Sequence, residues 1–391
     1  MIKGHKRAAI GDLCEFINGN GFRPPDWKPS GLPIIRIQNL NGVKTFNYFD
    51  GVPKDKWIVE PSDLLFAWAG VKGVSFGPTI WPGPRGVLNQ HIFRVVPKGG
   101  IDRYWLYLAL QVATTRIEAN AHGFKSSLVH VHKDDITGQV IDIPPLPEQR
   151  KIAEILRTWD LGLEKLEALR AAKRDHLTGL QQKLLGRGGA LPDHWEKLPL
   201  SAICTRVRRQ NGGGDHPVMT ISAKSGFLMQ SDKFSRDMAG SSVERYTLLH
   251  EGEFAYNKGN SLTAPYGCIF PLDRPTALVP FVYFCFALNR NMNRDFYTHL
   301  FAAGALNHQL SRLINSGVRN DGLLNLNVDD FFGCKVPVPP QKEQEKIAAA
   351  LTAAKSELAL LDEQIESLAR QKRGLMQKLL MGEWRVNVGA G

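Results

Sequence analysis

The sequence predicts an α+β protein in which two globular domains are joined by two long helices forming an antiparallel coiled coil, pseudo-two-fold symmetric. Three observations carry this. The junction "PPLPEQRKIAEIL" at residues 144–156 returns as "PPQKEQEKIAAAL" at residues 339–351. Each copy opens a stretch whose apolar residues recur at alternating spacings of four and three. The segments in front of the two junctions resemble each other in outline.

The repeat has a fixed register. Glu148 and Glu343 differ by 343 − 148 = 195, and the same offset pairs Gln149 with Gln344, Lys151 with Lys346, Ile152 with Ile347 and Ala153 with Ala348. It still holds where "GLQQKLL" (179–185) meets "GLMQKLL" (374–380), and upstream where "KDDITG" (133–138) meets "VDDFFG" (328–333). The chain is therefore close to two tandem copies of one unit.

Proline before the helix and Glu-Gln in its first turn are N-terminal helix signals. The first apolar seam runs Ile152, Leu156, Trp159, Leu163, Leu166, is interrupted by Arg170 and Lys173, and resumes at Leu177, Leu180 and Leu184. The second runs Ile347, Leu351, Ala354, Leu358, Leu361, Ile365 and Leu368, is interrupted by Lys372, and resumes at Leu375 and Leu379. A heptad seam of this length exposes an apolar stripe unless another helix covers it, and two seams interrupted in different places can bury each other. The alternative is two amphipathic helices, each packed on its own domain. Each helix is about 50 Å long at 1.5 Å per residue. A parallel pair would force the segment between the helices to stretch that distance. An antiparallel pair puts both of its connections at one end, so the expectation is antiparallel, with a globular domain at each end.

The expected boundaries are 1–143 for the first globular domain, 144–188 for the first long helix, 189–338 for the second domain, 339–382 for the second long helix and 383–391 for a C-terminal tail. Within the domains, "GLPIIRIQNLNG" (31–42) answers "DHPVMTISAKSG" (215–226), "SDLLFAWAG" (62–70) answers "GEFAYNKGN" (252–260), and Phe76-Gly77 answers Tyr266-Gly267. Helical stretches are expected at "YWLYLALQVATTRIEANA" (104–121), at "PFVYFCFALN" (280–289) and at "DFYTHLFAAG" (295–304). Each domain reads as a twisted, mostly antiparallel sheet with a helical flank. The copies diverge most in loops rich in Gly, Asn, Lys and aromatics.

The formal net charge is +11 over 391 residues, with a pI near 9.4. A surplus of that size favours a polyanionic partner, nucleic acid first. The longest apolar run, 281–288, falls short of a membrane span, and Asp12 and Glu15 interrupt any signal-peptide core, so a cytosolic protein is expected. The cysteines, Cys14, Cys204, Cys268, Cys285 and Cys334, form no C-x-x-C pair, which points to free thiols rather than a zinc site or a disulfide framework. His130-Val131-His132 could set two imidazoles on one strand face, without the further ligands a metal site needs. No F-x-G-x-G, Walker A or adenine-methyltransferase D/N-P-P-aromatic pattern occurs; "IPPL" and "VPPQ" lack the residues that would make one. The chain is expected to do no chemistry alone.

The doubled P-P-x-x-E-Q junction with K-I-A, the leucine-rich helix ending in Q-K-L-L and the stretch "NVDDFFGCKVPVPP" (327–340) resemble the specificity (S) subunit of type I restriction–modification systems. The globular segments match only in outline, at "IIRIQNL", "YNKGNS" and "RNDGLLNLN". The resemblance implies that residues 1–143 and 189–338 are target-recognition domains, each reading one half of a bipartite, asymmetric DNA site. It implies that the helices act as a ruler and recruit two methyltransferase (M) subunits, with restriction (R) subunits joining them. The chain itself would bind no cofactor, while the partner subunits would use S-adenosylmethionine, and ATP with Mg for restriction. A specificity subunit for a fused cleavage–methylation partner is the near alternative, and a coiled-coil scaffold with two protein-binding heads the distant one.

Base edges are read by Arg, Lys, Asn, Gln and small polar groups, and phosphates by Lys and Arg. The DNA-reading candidates are Arg23, Arg36, Gln38, Asn39, Lys72, Asn89, Gln90 and Lys125 in the first domain. In the second they are Arg208, Arg209, Gln210, Lys224, Asn257, Lys258, Asn260, Asn307, His308 and Arg319. One further expectation concerns the tail. "HWEKLPLSAIC" (194–204) opens the second domain, whereas the first begins at "HKRAAIGDLCEF" (5–16) without a matching tryptophan. Trp384-Arg385-Val386 is therefore expected to supply the missing opening piece from the far end of the chain.

Overall fold

The computed structural model describes residues 4–71, 73–120, 128–186, 191–233, 240–259, 264–314 and 323–388. The chain divides into two compact units: Met1–Glu167 with Gln364–Gly391, and Ala168–Glu363. Each unit therefore contains one globular segment and part of both long helices, which run Leu146–Leu184 and Gln341–Leu380.

The frame of the two units is the same. In the first, a four-stranded antiparallel sheet has the order Cys14–Asn18, Ile92–Pro97, Leu64–Ala67, Gly77–Ile80. In the second, the order is Cys204–Arg206, Phe284–Leu288, Phe254–Asn257, Cys268–Pro271. The inner strands are apolar on both faces because both faces are covered. Phe254 and Tyr256 stack on Phe286 and Phe331 on one side, while Ala255 and Cys285 join Met219, Ile221 and Val279 on the other. The first unit adds a second sheet, ordered Asn47–Phe49, Leu32–Ile35, Gly86–Leu88, Ile58–Val59, with one parallel pairing.

That packing corrects one sequence expectation. Residues 280–289 are a turn followed by the strand Phe284–Leu288, not a helix. A short, uniformly apolar run carries no period by which helix and strand could be told apart. Here the aromatics at 284 and 286 alternate with Cys285 across a central strand.

Each globular segment opens on a two-stranded ribbon that closes against its own end. Lys6–Ala9 pairs with Val140–Ile143, and Glu196–Pro199 with Lys335–Val338. The opening strand of the first segment is thus supplied by the N-terminal residues themselves, which corrects the expectation that the tail supplies it. Trp384 is not buried either. It is 52% exposed, with the Lys378 ammonium 4.3 Å from its ring centroid. The tail instead contributes a clamp. Arg385 donates from Nε and Nη2 to the two carboxylate oxygens of buried Glu148, both at 2.7 Å, and Val386 packs on the first unit's core. The buried His5 places Nε2 3.6 Å from the same carboxylate. In the second unit the equivalent Glu343 accepts from Trp195 Nε1 at 2.8 Å and lies 2.9 Å from His194 Nε2. Trp195 first and then His194 hold its carboxyl below the ordinary value.

Gln149 and Gln344, next in the junction, are each about 1% exposed and tie the long helices to the globular segments. Gln149 accepts from Asp102 N–H at 2.9 Å and donates to the Pro144 carbonyl at 2.9 Å and the Gly100 carbonyl at 3.3 Å. Gln344 accepts from Asn293 N–H and donates to the Pro339 carbonyl, both at 2.8 Å. Asp102 and Asn293 are themselves caps. The Asp102 carboxylate accepts from Tyr104 and Trp105 N–H, and the Asn293 side chain accepts from Phe296 N–H, starting the helices Arg103–Asn120 and Arg294–Ala302.

Within each unit the helix segments run antiparallel. In the first unit Ile152, Leu156, Leu375 and Leu379 share one core with Trp105 and Ile136, and Trp159, Leu163 and Leu368 are half-buried. In the second, Ile347 and Leu351 share a core with Leu177, Leu180 and Leu184, and Leu361 is buried. Leu166 and Leu358 are half-buried, and Ile365 is buried. The cations that interrupt the seams meet acids on the facing helix. Arg170 lies 3.3 Å from Asp362 and Lys173 lies 2.6 Å from Glu357. Lys372 pairs with Asp160, which also accepts from Tyr104 Oη at 2.5 Å. Leu156 and Leu351, equivalent since 351 − 156 = 195, are both fully buried. Leu156→Ala and Leu351→Ala are each expected to cost about 2–5 kcal/mol through lost burial and a residual cavity. Equilibrium urea unfolding followed by near-UV circular dichroism checks this, and an unchanged transition would contradict the shared cores.

All five cysteines are free. Burial pushes the Cys14, Cys204 and Cys285 thiols up to about 12, and Cys334 to about 11, so they act as packing groups rather than nucleophiles.

Candidate nucleic-acid interface

The polar loops leave the sheets at equivalent places in the two units. After Cys14–Asn18, residues 19–22 cross the end of the strand Gly86–Leu88. Asn20 N–H donates to Leu88 O, and Gln90 N–H donates to Asn20 O, both at 2.8 Å. Asn89 Oδ1 accepts from Phe22 N–H at 3.2 Å, so that side chain shapes the loop. Any Cβ at position 19 would sit 2.0 Å from Asn89 O, which is why glycine occupies it. Arg23 and Gln90 are exposed on this rim.

Arg36 lies with its guanidinium 5.0 Å from the Trp27 ring centroid and donates to Asn47 Oδ1 at 3.3 Å. Asn39 is buried and fully engaged. It accepts from Arg36 N–H and donates to the Val43 and Thr45 carbonyls at 2.9 and 3.0 Å, holding its own turn closed. It positions the exposed Gln38 and does not itself face solvent. Lys72 and Lys125 lie outside the described residues, as does the side chain of His130.

In the second unit Arg208, Arg209 and Gln210 follow Cys204–Arg206 and are exposed. Arg209 pairs with Glu253, whose carboxylate also accepts from His250 N–H at 2.8 Å. Arg206 is lowered from its ordinary value, by desolvation first and by the nearby Arg208 guanidinium second. Lys224 is exposed on the turn between Met219–Ser222 and Gly226–Met229.

Asn257 resembles Asn39 in role. It donates to Ile221 O at 3.1 Å and accepts from Gly259 N–H at 2.9 Å, fixing the loop that carries Lys258. Lys258 is half-buried, with Nζ 5.3 Å from the Phe284 centroid. Asn307 and His308 are exposed at the start of the helix Asn307–Leu313, beside a cavity of about 640 Å³ that Lys197 and Lys335 also line. Asn260 and Arg319 lie outside the described residues.

Among the described residues the first unit therefore presents Arg23, Gln38 and Gln90, and the second Arg208, Arg209, Gln210, Lys224, Asn307 and His308, on loops shaped by the buried Asn39 and the half-buried Asn89 and Asn257, a donor-rich surface suited to phosphates and base edges. Residue type alone did not separate the presenting asparagines from the shaping ones, because Asn suits both tasks. It also passed over Phe281 and Arg245, which lie on the second unit's rim.

A family profile described as "Type I restriction modification DNA specificity domain" matches residues 3–173. The MjaVIII type I restriction enzyme specificity subunit of Methanocaldococcus jannaschii is 22% identical over 416 residues, covering 96% of this chain and 92% of that protein. The EcoBI specificity subunit of Escherichia coli is 28% identical over 156 residues, covering 39% and 31%. The crystal structure of the type I restriction–modification S subunit from M. genitalium superposes with a TM-score of 0.59 at 17% identity, covering 97% of this chain and 96% of that one. With the doubled junction and the repeated frame, these likenesses make the chain similar to type I restriction–modification specificity subunits, by profile over residues 3–173 and in sequence and fold over nearly its whole length.

Proposed function

We propose that each unit reads one half of a bipartite, asymmetric DNA sequence and that the chain recruits methyltransferase and restriction subunits, which carry the catalytic groups and their S-adenosylmethionine and ATP with Mg. The observation that carries the reading is one frame with different side chains at the same place. Strand register sets Cys204 against Cys14, since 204 − 14 = 190, so Arg208-Arg209-Gln210 occupies the position of Asn18-Gly19-Asn20. Dimeric readers match two like half-sites by two-fold symmetry. A fused pair with unlike rims suits two unlike halves.

The test is to co-express the chain with its methyltransferase partner, map modified adenines in exposed genomic DNA and titrate binding against salt. One split sequence should emerge. Affinity for it should fall by about 10³ or more between 50 and 200 mM salt if six or more phosphates are contacted. Scattered modification, or binding indifferent to salt, would refute the reading.

A further inference from the structure

Residues 280–283 form a turn closed by Tyr283 N–H donating to Pro280 O at 3.0 Å. Turn tips ordinarily carry polar or small residues. This one carries Phe281, 55% exposed. The turn is held from beneath, where the buried Tyr283 hydroxyl lies 3.0 Å from Thr220 Oγ1 and accepts from Ile221 N–H at 3.3 Å. Above it, the Arg245 guanidinium lies 5.5 Å from the Phe281 ring centroid.

The strand pairing brings this ring to the rim already described. Thr247 pairs with Val279 on one side and bridges to Gln210 on the other, so Arg245 and Phe281 lie just past the ladder end that Gln210 flanks. The first unit identifies the position. Phe93 opposes Phe66 as Phe284 opposes Tyr256, which gives an offset of 284 − 93 = 191. By that offset Phe281 stands where Gln90 stands, since 281 − 90 = 191.

Resting on the DNA-reading proposal, the geometry points to a base-stacking subsite in the second unit. The Phe281 ring packs against a DNA base or wedges at a base step, with Arg245 and Arg208 on the flanking phosphates. Apolar side chains inserted at base steps are a recurrent means of reading and bending a duplex, and a guanidinium over the ring suits a site beside phosphates. A protein-docking surface would need a contiguous apolar patch of several hundred Å². Among the described residues, the exposed Phe281 ring is met by the Arg245 guanidinium, and the neighbouring ladder end carries the exposed polar residues Glu244 and Gln210.

The experiment uses the full chain with its methyltransferase partner on the mapped site, with 2-aminopurine placed in turn along each half. Wild-type protein should brighten the probe at one step of one half-site. Phe281→Ala should abolish that signal and weaken specific binding by about tenfold or more, leaving non-specific binding and thermal midpoint unchanged, while Phe281→Trp retains the signal. Arg245→Gln should lower the salt slope by about one. The inference is overturned if Phe281→Ala binds within about twofold of wild type while wild type still discriminates its site, an outcome that leaves the DNA-reading proposal standing. Loss of the methyltransferase partner from Phe281→Ala, with the probe signal of the remaining complex intact, would overturn it in favour of a protein contact. A wild-type complex without sequence discrimination would remove both.

Discussion

Replacing Gln149 by leucine is expected to destabilise the first unit by about 3 kcal/mol or more, although the substitution conserves volume and adds an apolar side chain to a buried place. The amide serves three backbone groups: the Asp102 N–H and the carbonyls of Pro144 and Gly100. Leucine can serve none of them. A buried backbone group stripped of its partner costs about 1–3 kcal/mol, and with Gln149 about 1% exposed, water has no route to compensate. Gln344→Leu should act in the same direction in the second unit but less strongly, because among the described residues Gln344 serves two backbone groups, the Asn293 N–H and the Pro339 carbonyl. Glutamate at either position would keep the acceptor, lose the donors and bury a charge, so it should be no better than leucine. Urea unfolding measures the loss. Hydrogen exchange should locate it, with faster exchange at Asp102 and the first turn of Arg103–Asn120 for the first variant, and at Asn293 and Arg294–Ala302 for the second. Wild-type midpoints for both variants would mean that these hydrogen bonds do not hold the junctions together.

That pair of glutamines also shows where the sequence was legible and where it was not. The doubled E-Q is conspicuous as a repeat, and helix-start signals place it in the first turn. Its purpose is invisible locally, because the groups that Gln149 serves at Asp102 and Gly100 come from 47 and 49 residues upstream. The fold class follows from periodicity and repeat register, which are local properties. The error at residues 280–289 arose where periodicity is absent and burial on two faces decides. The tail misled for a related reason. The first domain has no tryptophan matching Trp195: His5 stands on Glu148 where Trp195 stands on Glu343, and an arginine from the C-terminal side completes that contact. The same carboxylate is held by different chemistry, which no comparison of residue types would align.

Exchanging residues 1–143 for the first recognition segment of another family member is expected to change one half of the target and leave the other intact. The physical basis is that each core cluster lies wholly within one unit. Ile10, Phe66, Trp105, Ile152, Leu156 and Leu379 belong to the first, and Phe254, Phe286, Phe331, Ile347 and Leu351 to the second. A graft must still meet what the rest of the chain gives the first unit. It needs an apolar surface for Ile152, Leu156 and Leu379, a backbone N–H for Gln149 and a neighbour for the Glu148–Arg385 pair. Donors with the same P-P-x-x-E-Q register are the ones to choose. Specific sites are bound about 10³–10⁷ times more tightly than random duplex. If each half carries about half of that free energy, affinity for the original site should fall by a factor of about 30 to 3,000. The hybrid should gain a new site that keeps the second half unchanged. Mapping modified adenines reads this directly, and the residues 208–210 rim with Phe281 should continue to govern the retained half. Should both halves change together, the units would have to read jointly, and the assignment of one half to each would be wrong.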